Sequence, residues 1–268
     1  MPSEYEKIES FKNNGFVLIP DVISQREIHD IRNLIYEITE QMPIGKRMLT
    51  IGDLFSNKDL SDALLKIQFS EKLLKTLGDV IDEKFCYIND VQVQCNMFGV
   101  GLWHADAGSE ADILSNKYLY DPDFVFGKVG VFLQDNTVEF GGGINVIPGS
   151  HKAFEFYRGK TFLEYACRHV INKVQVFNAR ILGRQVVVPI KAGSAVYFDS
   201  RLLHCSTAPE SVALNAVERI ARRAKNSSIG KDNSKYVFYW EACSQGNARA
   251  FLENSCKRAI IEEVGVSR

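Results

Sequence analysis

A histidine and an aspartate one residue apart, His104 and Asp106, are the residues of this sequence best suited to metal chemistry. On an extended segment or a tight turn, the first and third side chains of His-x-Asp converge on one metal ion. A distant histidine, His204, would complete a set of two imidazoles and one carboxylate. Such a facial triad holds iron(II) and leaves three coordination positions open for a co-substrate and dioxygen. We therefore predict that these three residues bind iron.

The segments that must position these ligands carry further information, because a lone His-x-Asp occurs by chance in many chains. They are Phe11–Pro20, Leu102–Asp106, Gly142–Lys152 and Phe198–His204. In order and spacing they resemble the phytanoyl-CoA dioxygenase family of iron(II)/2-oxoglutarate oxygenases, over nearly the whole chain. The resemblance implies a jelly-roll fold with iron(II), 2-oxoglutarate and dioxygen as cofactors.

The resemblance also implies a reaction in which 2-oxoglutarate is converted to succinate and CO2 while a C–H bond is oxidised. Related halogenases replace the carboxylate with a small residue, so Asp106 favours hydroxylation, desaturation or ring closure. The polar segments Gly108–Asp123 and Phe154–Lys173 are predicted to cover the site and favour a small polar metabolite. The alternatives are a cupin-like isomerase or sugar-modifying enzyme without 2-oxoglutarate, and a non-catalytic binding protein.

A cation for the far carboxylate of 2-oxoglutarate is harder to place. In the family it is usually an arginine about ten residues beyond the distal histidine, at the start of the last core strand. Here position 215 is Asn, and a polar and basic insertion follows. Lys235, directly before the strand at 236–240, is the first candidate and Arg219 the second. A lysine at a loop tip with no role in binding is the remaining alternative.

Arg201 lies three residues before His204 and has three possible roles: contacting 2-oxoglutarate, orienting Asp199, or forming a structural salt bridge. In a fully extended segment, Arg201 and Cys205 point to the side opposite His204. We therefore expect Cys205 to be chemically inert and Arg201 to lie toward Asp199, unless the chain bends between Arg201 and the ligand.

Four further residues are candidates for the pocket. Gln94, Asn96 and Gln134 lie on predicted barrel strands and could donate hydrogen bonds to 2-oxoglutarate, or could be exposed polar residues. Trp103 could pack beside the iron or serve as an ordinary core aromatic residue.

The motif Pro148–Lys152 is interpreted as architectural. Pro148 and Gly149 form a turn, Ser150 caps the short helix that follows, and His151 braces the loop.

Hydrophobic periodicity predicts helices first and strands later. Ser24 and Glu27 form a capping-box pattern before a helix over Gln25–Glu40. Shorter helical regions follow at 64–69 and 70–77, and helical insertions are predicted at 163–170 and 210–225. Apolar and β-branched runs predict strands at 86–88, 91–95, 124–133, 143–147, 185–190, 195–198 and 236–240.

This order is typical of a mainly β fold with flanking helices, an antiparallel jelly-roll barrel buttressed by N-terminal helices. We predict one oxygenase domain over 1–268, with the buttress at about 1–82, the core at about 83–243 and a C-terminal helix at about 244–262.

Composition narrows the class of partner. The chain has 46% hydrophobic and 24% charged residues and a formal net charge of −1. This balance does not indicate a nucleic-acid or membrane partner, and the basic run 219–225 is interpreted as a solvated face. The six cysteines lack paired metal-site spacing, and the N-terminus lacks a signal-peptide core. We expect reduced thiols, a cytoplasmic location and a small-molecule substrate.

Overall fold

Five helices occupy the N-terminal part of the described chain. The computed structural model describes residues 4–41, 48–95, 103–107, 118, 121, 123–137, 141–152, 162–207 and 234–253. The helices are α1 (Glu4–Asn14), α2 (Gln25–Glu40), α3 (Ile51–Ser56), α4 (Lys58–Gln68) and α5 (Glu71–Val80). A longer helix, α6 (Phe162–Ile181), interrupts the strands, and 248–253 are helical.

Helix α2 has the predicted bounds and the predicted cap. The Ser24 hydroxyl accepts from the Glu27 backbone N–H at 3.3 Å, and the Glu27 carboxylate accepts from the Ser24 N–H at 2.9 Å. This reciprocal pairing satisfies donors that the first helical turn leaves unbonded. The helix buries an isoleucine face against the sheet.

Nine strands among the described residues form two antiparallel sheets. They are β1 (Phe16–Ile19), β2 (Met48–Leu49), β3 (Cys86–Cys95), β4 (Phe126–Phe132), β5 (Ile144–Val146), β6 (Val186–Val187), β7 (Ala195–Asp199), β8 (His204–Ser206) and β9 (Tyr236–Cys243). The larger sheet has the order β1-β7-β4-β9-β3-β2, and the smaller has the order β6-β5-β8. Helices in front of two facing antiparallel sheets confirm the predicted jelly-roll class.

The larger sheet separates two apolar clusters. Its outer face, which includes Val129 and Trp240, packs against the N-terminal helices. Its inner face contributes Phe132 and Phe198 to a smaller cluster with Val146 of the smaller sheet. Because side chains alternate along a strand, each central strand feeds both clusters.

Two N-terminal elements differ from the prediction. Helix α1 and strand β1 were not predicted, yet β1 pairs with β7 and forms the edge of the larger sheet. Gly15 joins them with a φ of +83°, and a Cβ there would lie 2.5 Å from His151 Nδ1. This connection therefore requires glycine.

Several boundaries were also wrong. The two strands predicted at 86–88 and 91–95 are one strand, β3, with an irregularity between Ile88 and Gln92. The strand predicted at 185–190 is reduced to β6, and the insertion predicted at 163–170 is the longer α6. The helix predicted at 210–225 and the C-terminal helix beyond residue 253 lie outside the described residues.

Two composition-based expectations can be compared with the described residues. No helix among them is both long enough and apolar enough to cross a membrane. The cysteines at 86, 95, 205 and 243 are free thiols, as expected for reduced cysteines.

Candidate metal centre

The backbone brings the two histidines side by side. The His104 N–H donates to the His204 carbonyl at 3.0 Å, and the His204 N–H donates back at 2.9 Å. Farther along, the Ala107 N–H donates to the Ser200 carbonyl at 2.7 Å. These bonds pin the His-x-Asp segment along β8 and the turn before it, so that the two imidazole rings lie 4.4 Å apart between centroids.

Alternation of side chains separates ligand candidates from packing residues in this segment. Trp103 and Ala105 pack against Ile147, Ala179 and Leu203, an apolar cluster that involves α6. His104 and Asp106 point to the metal side. This packing matches the core-aromatic alternative for Trp103.

The three side chains have the spacing of a metal site. His104 Nε2 lies 3.6 Å from Asp106 Oδ1, and His204 Nε2 lies 3.8 Å from Asp106 Oδ2. One ligand atom from each residue lies within 4.8 Å of the others. Among the described residues, Asp106 Oδ2 is buried and receives no hydrogen bond. An ionised carboxylate withdrawn from water requires nearby positive charge, and two imidazoles beside it complete a donor set that fits a divalent metal ion.

His204 is held in the form that a metal requires. Its Nδ1 lies 3.0 Å from the Leu202 carbonyl oxygen. Because a carbonyl oxygen can only accept, the proton is assigned to Nδ1, and Nε2 is left with its lone pair. Burial lowers the pKa of His204 to about 4, although Asp106 opposes this shift. The imidazole is therefore neutral at physiological pH and presents a lone pair to the site.

Asp106 is kept ionised by its neighbours. Burial alone would raise its pKa, but Lys128 and the two imidazoles outweigh burial and hold the pKa well below its usual value. Lys128 Nζ lies 3.2 Å from Asp106 Oδ2, and the lysine side chain is only 15% exposed. The site therefore contains a cation that the sequence analysis did not identify.

Comparison with known proteins agrees with this geometry. A sequence model of the family described as Phytanoyl-CoA dioxygenase (PhyH) matches residues 11–213, which is more than half of the chain. The chain belongs to this family. Membership and the His–Asp–His cluster confirm that the protein is an enzyme of the iron(II)/2-oxoglutarate-dependent class, with the predicted cofactors.

Solved structures show the same fold at low identity. AviO1 from Streptomyces viridochromogenes Tue57 is 15% identical with a TM-score of 0.57, over 92% of this chain and 97% of AviO1. The alpha-ketoglutarate-dependent epimerase SnoN from nogalamycin biosynthesis is 13% identical with a TM-score of 0.54, over 89% of this chain and 81% of SnoN.

EctD from S. alaskensis, with bound Fe, is also 13% identical with a TM-score of 0.54, over 90% of this chain and 76% of EctD. At such identities these structures establish the fold only. A search of curated protein sequences found no significant match.

The inner wall of the oxygenase site is formed by β4 and β9. Lys128 is directly opposite Glu241 in the register, and Gly130 is directly opposite Tyr239. Glu241 is 2% exposed, and Lys128 Nζ lies 5.9 Å from the Tyr239 ring centroid. A Cβ at Gly130 would lie 2.5 Å from Tyr239 Cε1, so the ring lies across β4 only because residue 130 has no side chain.

The sequence contained a signal for this wall that the prediction did not use. Lys128 is the only charged residue in β4, and Glu241 is the only one in β9. A single charged residue in an apolar strand indicates a polar wall only when the neighbouring strand is known. The register of β4 with β9 identifies that neighbour.

Arg201 is directed at Asp199. Its Nε and Nη2 donate to the two carboxylate oxygens at 2.9 and 2.7 Å, and its backbone N–H donates to Oδ1 at 2.8 Å. The predicted direction is confirmed, but the segment is not extended throughout, because the Leu202 N–H closes a turn on the Asp199 carbonyl. This contact matches the two alternatives that involve Asp199, its orientation by Arg201 and a structural salt bridge.

The co-substrate candidates lie farther along the strands. Gln134 donates to the Gly142 carbonyl at 2.7 Å and accepts from the Tyr236 N–H at 2.7 Å, so its amide joins backbone segments. Lys235 is half-buried beside this junction, with its Cδ 3.6 Å from where a Cβ at Gly142 would be. Gln94 is opposite Val237, on the inner face.

The Pro148–Lys152 loop was predicted to be architectural, and in the structure it braces the ligand strand. The Ser150 hydroxyl accepts from the Leu203 N–H at 2.9 Å instead of capping a helix. His151 packs against the Gly15 connection, and burial lowers the pKa of His151.

Some predictions cannot be compared with the structure. Asn96, Arg219 and most of the lid segment predicted at 108–123 lie outside the described residues.

Proposed function

We propose that this protein is an iron(II)/2-oxoglutarate-dependent hydroxylase of a small polar metabolite, with His104, Asp106 and His204 as the metal ligands. The observation that carries the proposal is the ligand geometry. Two imidazoles and an ionised carboxylate place their ligand atoms within 4.8 Å of one another.

Each ligand residue has a separate task. His204 offers Nε2 because its Nδ1 is engaged by a backbone carbonyl. His104, whose side chain is half-exposed, faces the open side of the site. Iron(II) with bound 2-oxoglutarate supplies oxygen activation for C–H oxidation, and 2-oxoglutarate leaves as succinate and CO2. The protein orients the ligands and provides a wall that excludes water from the site.

We place the far carboxylate of 2-oxoglutarate at Lys235. This residue lies at the start of the last core strand, where the family usually carries its arginine. Gln94 lies on the inner face and is a second candidate contact, and Arg219 remains the alternative cation. Gln134 contributes indirectly, because its amide fixes the backbone at which Lys235 emerges.

A polar substrate is supported by the inner wall. Lys128, Tyr239, Glu241 and Gln92 lie on the face of β3, β4 and β9 that is turned toward the ligands. Polar groups in such a wall favour a ligand that can pair with them. We also propose a cytoplasmic location, and the free thiols support it.

The first experiment is an anaerobic titration with iron(II) and 2-oxoglutarate that monitors the visible charge-transfer band of the chelate. Asp106→Ala is the matched control and should give no band. A wild-type protein that binds neither component would contradict the proposal.

The second experiment identifies the reaction type with a panel of polar metabolites. Succinate release and product mass are measured together. Gain of one oxygen atom supports hydroxylation, loss of two hydrogens supports desaturation or ring closure, and an unchanged mass supports epimerisation. Metal-dependent turnover without succinate would favour an isomerase of the cupin type.

A further inference from the structure

Lys128 is a costly residue at its position, which indicates that it has a task. It is the only charged residue of β4, and its side chain is 15% exposed. Withdrawing an ammonium group from water costs several kcal/mol by order of magnitude unless a partner compensates. An apolar residue would complete the strand without this cost, so the reason for a lysine must lie in what its ammonium contacts.

The contact is with the proposed carboxylate ligand and is only partly satisfied. Lys128 Nζ lies 3.2 Å from Asp106 Oδ2, yet no donor has hydrogen-bond geometry toward this oxygen in the described part of the chain. The nearest atom of His104 approaches Oδ1 instead, at 3.6 Å. The two oxygens of one carboxylate therefore have different neighbours: His104 lies nearest Oδ1, whereas Oδ2 has the Lys128 ammonium at 3.2 Å and His204 Nε2 farther away at 3.8 Å.

We propose that Lys128 is a positioning residue that restricts Asp106 to binding the metal through one oxygen. The inference rests on the proposed function, because it concerns the same metal site. A carboxylate can bind a divalent ion through one oxygen or through both. Binding through both would occupy one of the three positions that 2-oxoglutarate and dioxygen need.

The electrostatics support this assignment. The Lys128 ammonium, 3.2 Å from Oδ2, attracts that oxygen. It also repels a divalent cation that approaches the same oxygen. The side chain of Lys128 is largely buried beside β9, where Glu241 is directly opposite in the register and the Tyr239 ring lies 5.9 Å from Nζ. The cation therefore stays at Oδ2 when a metal binds between the imidazoles and the carboxylate.

The competing explanation is that Lys128 only balances the charge of the largely buried Asp106. The two explanations predict different effects when a neutral residue replaces Lys128. If Lys128 only balances charge, Lys128→Met should destabilise the protein without changing how many positions on the metal hold water. If Lys128 limits Asp106 to one oxygen, the same variant lets both oxygens bind. Metal binding then becomes tighter, and one water is lost from the metal.

The test uses Mn(II) as the probe and compares wild type, Lys128→Met, Lys128→Arg and a matched control, Lys191→Met. Lys191 pairs with Asp135 at 3.1 Å on the exposed surface. Water-proton relaxation counts exchangeable waters on the bound ion, and electron paramagnetic resonance measures the Mn(II) Kd. A separate titration measures the 2-oxoglutarate Kd.

We expect three waters on Mn(II) in the wild type and two in Lys128→Met, with an Mn(II) Kd about tenfold lower and a 2-oxoglutarate Kd about tenfold higher. Lys128→Arg and Lys191→Met should keep three waters. Three waters in Lys128→Met, or weaker Mn(II) binding, would overturn the inference.

Two further points keep the result decisive. Lys128→Gln is the second neutral replacement if Lys128→Met does not fold, and it is judged by the same readings. A wild type that binds Mn(II) but not 2-oxoglutarate contradicts the proposed function. A wild type that binds both, with a Lys128→Met variant identical to it, contradicts only the role of Lys128.

Discussion

Two largely buried aspartates near the ligand strand each face a basic side chain, and the two pairs are built differently. Asp199 is 2% exposed at its side chain and receives three donors from Arg201 at 2.7–2.9 Å. Asp106 is 16% exposed at its side chain and has one ammonium at 3.2 Å and two imidazoles beyond 3.5 Å, and its Oδ2 receives no hydrogen bond from the described residues. Both carboxylates are largely buried, but among the described residues only Asp199 accepts hydrogen bonds at both oxygens.

The difference separates architecture from chemistry. Guanidinium and carboxylate match in shape, so Arg201 binds both oxygens of Asp199 and holds this carboxylate within the architecture of the turn. The Asp106 site, in contrast, can still bind a partner. That partner must come from outside the polypeptide. Burial and charge alone would not distinguish the two aspartates, whereas the count of hydrogen bonds to each oxygen does.

Removing a ligand of the unsatisfied site should have the largest effect. His104→Ala, Asp106→Ala and His204→Ala should each abolish 2-oxoglutarate turnover, because two ligands hold iron too weakly against water. The fold should persist, since the hydrogen bonds that join the two histidine segments are made by the backbone. Succinate release and thermal melting are the measurements. Full activity in any one variant would remove that residue from the ligand set.

Breaking the satisfied pair should have the opposite pattern. Arg201→Ala leaves a buried carboxylate unpaired and should lower the free energy of unfolding by about 3–5 kcal/mol. Chemical denaturation measures this loss, and the Mn(II) Kd of the folded fraction should be unchanged. A specific rise in the 2-oxoglutarate requirement with unchanged melting would instead place Arg201 in the co-substrate site.

Much of the fold could be predicted because it depends on local patterns. The Ser24 cap and the isoleucine face define α2 without knowledge of the rest of the chain. Strand β1 was missed because it is short and its partner, β7, is distant in sequence. The turn that directs Arg201 was not predicted because it depends on one backbone bond between Leu202 and Asp199.

The site was predictable only in part for the same reason. His104, Asp106 and His204 lie in segments with a recognisable order and spacing. Lys128 becomes meaningful only when β4 is paired with β9 and a side chain from a third segment, Asp106, reaches the same face. Such a contact depends on register between strands that are far apart in sequence, and single-strand periodicity contains no information about register.

Lys235 is the third basic residue in this comparison. We expect it to pair with the co-substrate and not with an aspartate. Lys235→Ala should raise the apparent 2-oxoglutarate requirement roughly tenfold to a hundredfold, the equivalent of about 1.5–3 kcal/mol for a charge-assisted hydrogen bond. Lys235→Arg should be tolerated better. The measurement is initial rate against 2-oxoglutarate concentration. A larger effect of Arg219→Ala would transfer the role to Arg219.

The smallest expected effect concerns the neighbour of the satisfied pair, His151. Burial lowers its pKa below the ordinary 6.5, so the unfolded chain takes up the proton first as the pH falls. His151 therefore stabilises the fold above about pH 6.5 and progressively less below it. Between about pH 7 and about pH 5, the wild type should lose more unfolding free energy than His151→Gln. Parallel curves for the two proteins would show that His151 does not titrate in this way.

The contact between Gly130 and Tyr239 has a consequence for how this enzyme diverges from its relatives. Any side chain at position 130 would displace the tyrosine ring, which is 2.5 Å from the place of the missing Cβ. The two positions should therefore change together over evolutionary time, with a small residue at 239 wherever 130 is larger. For directed evolution, paired libraries at these two positions would reshape the cavity while leaving every metal ligand intact.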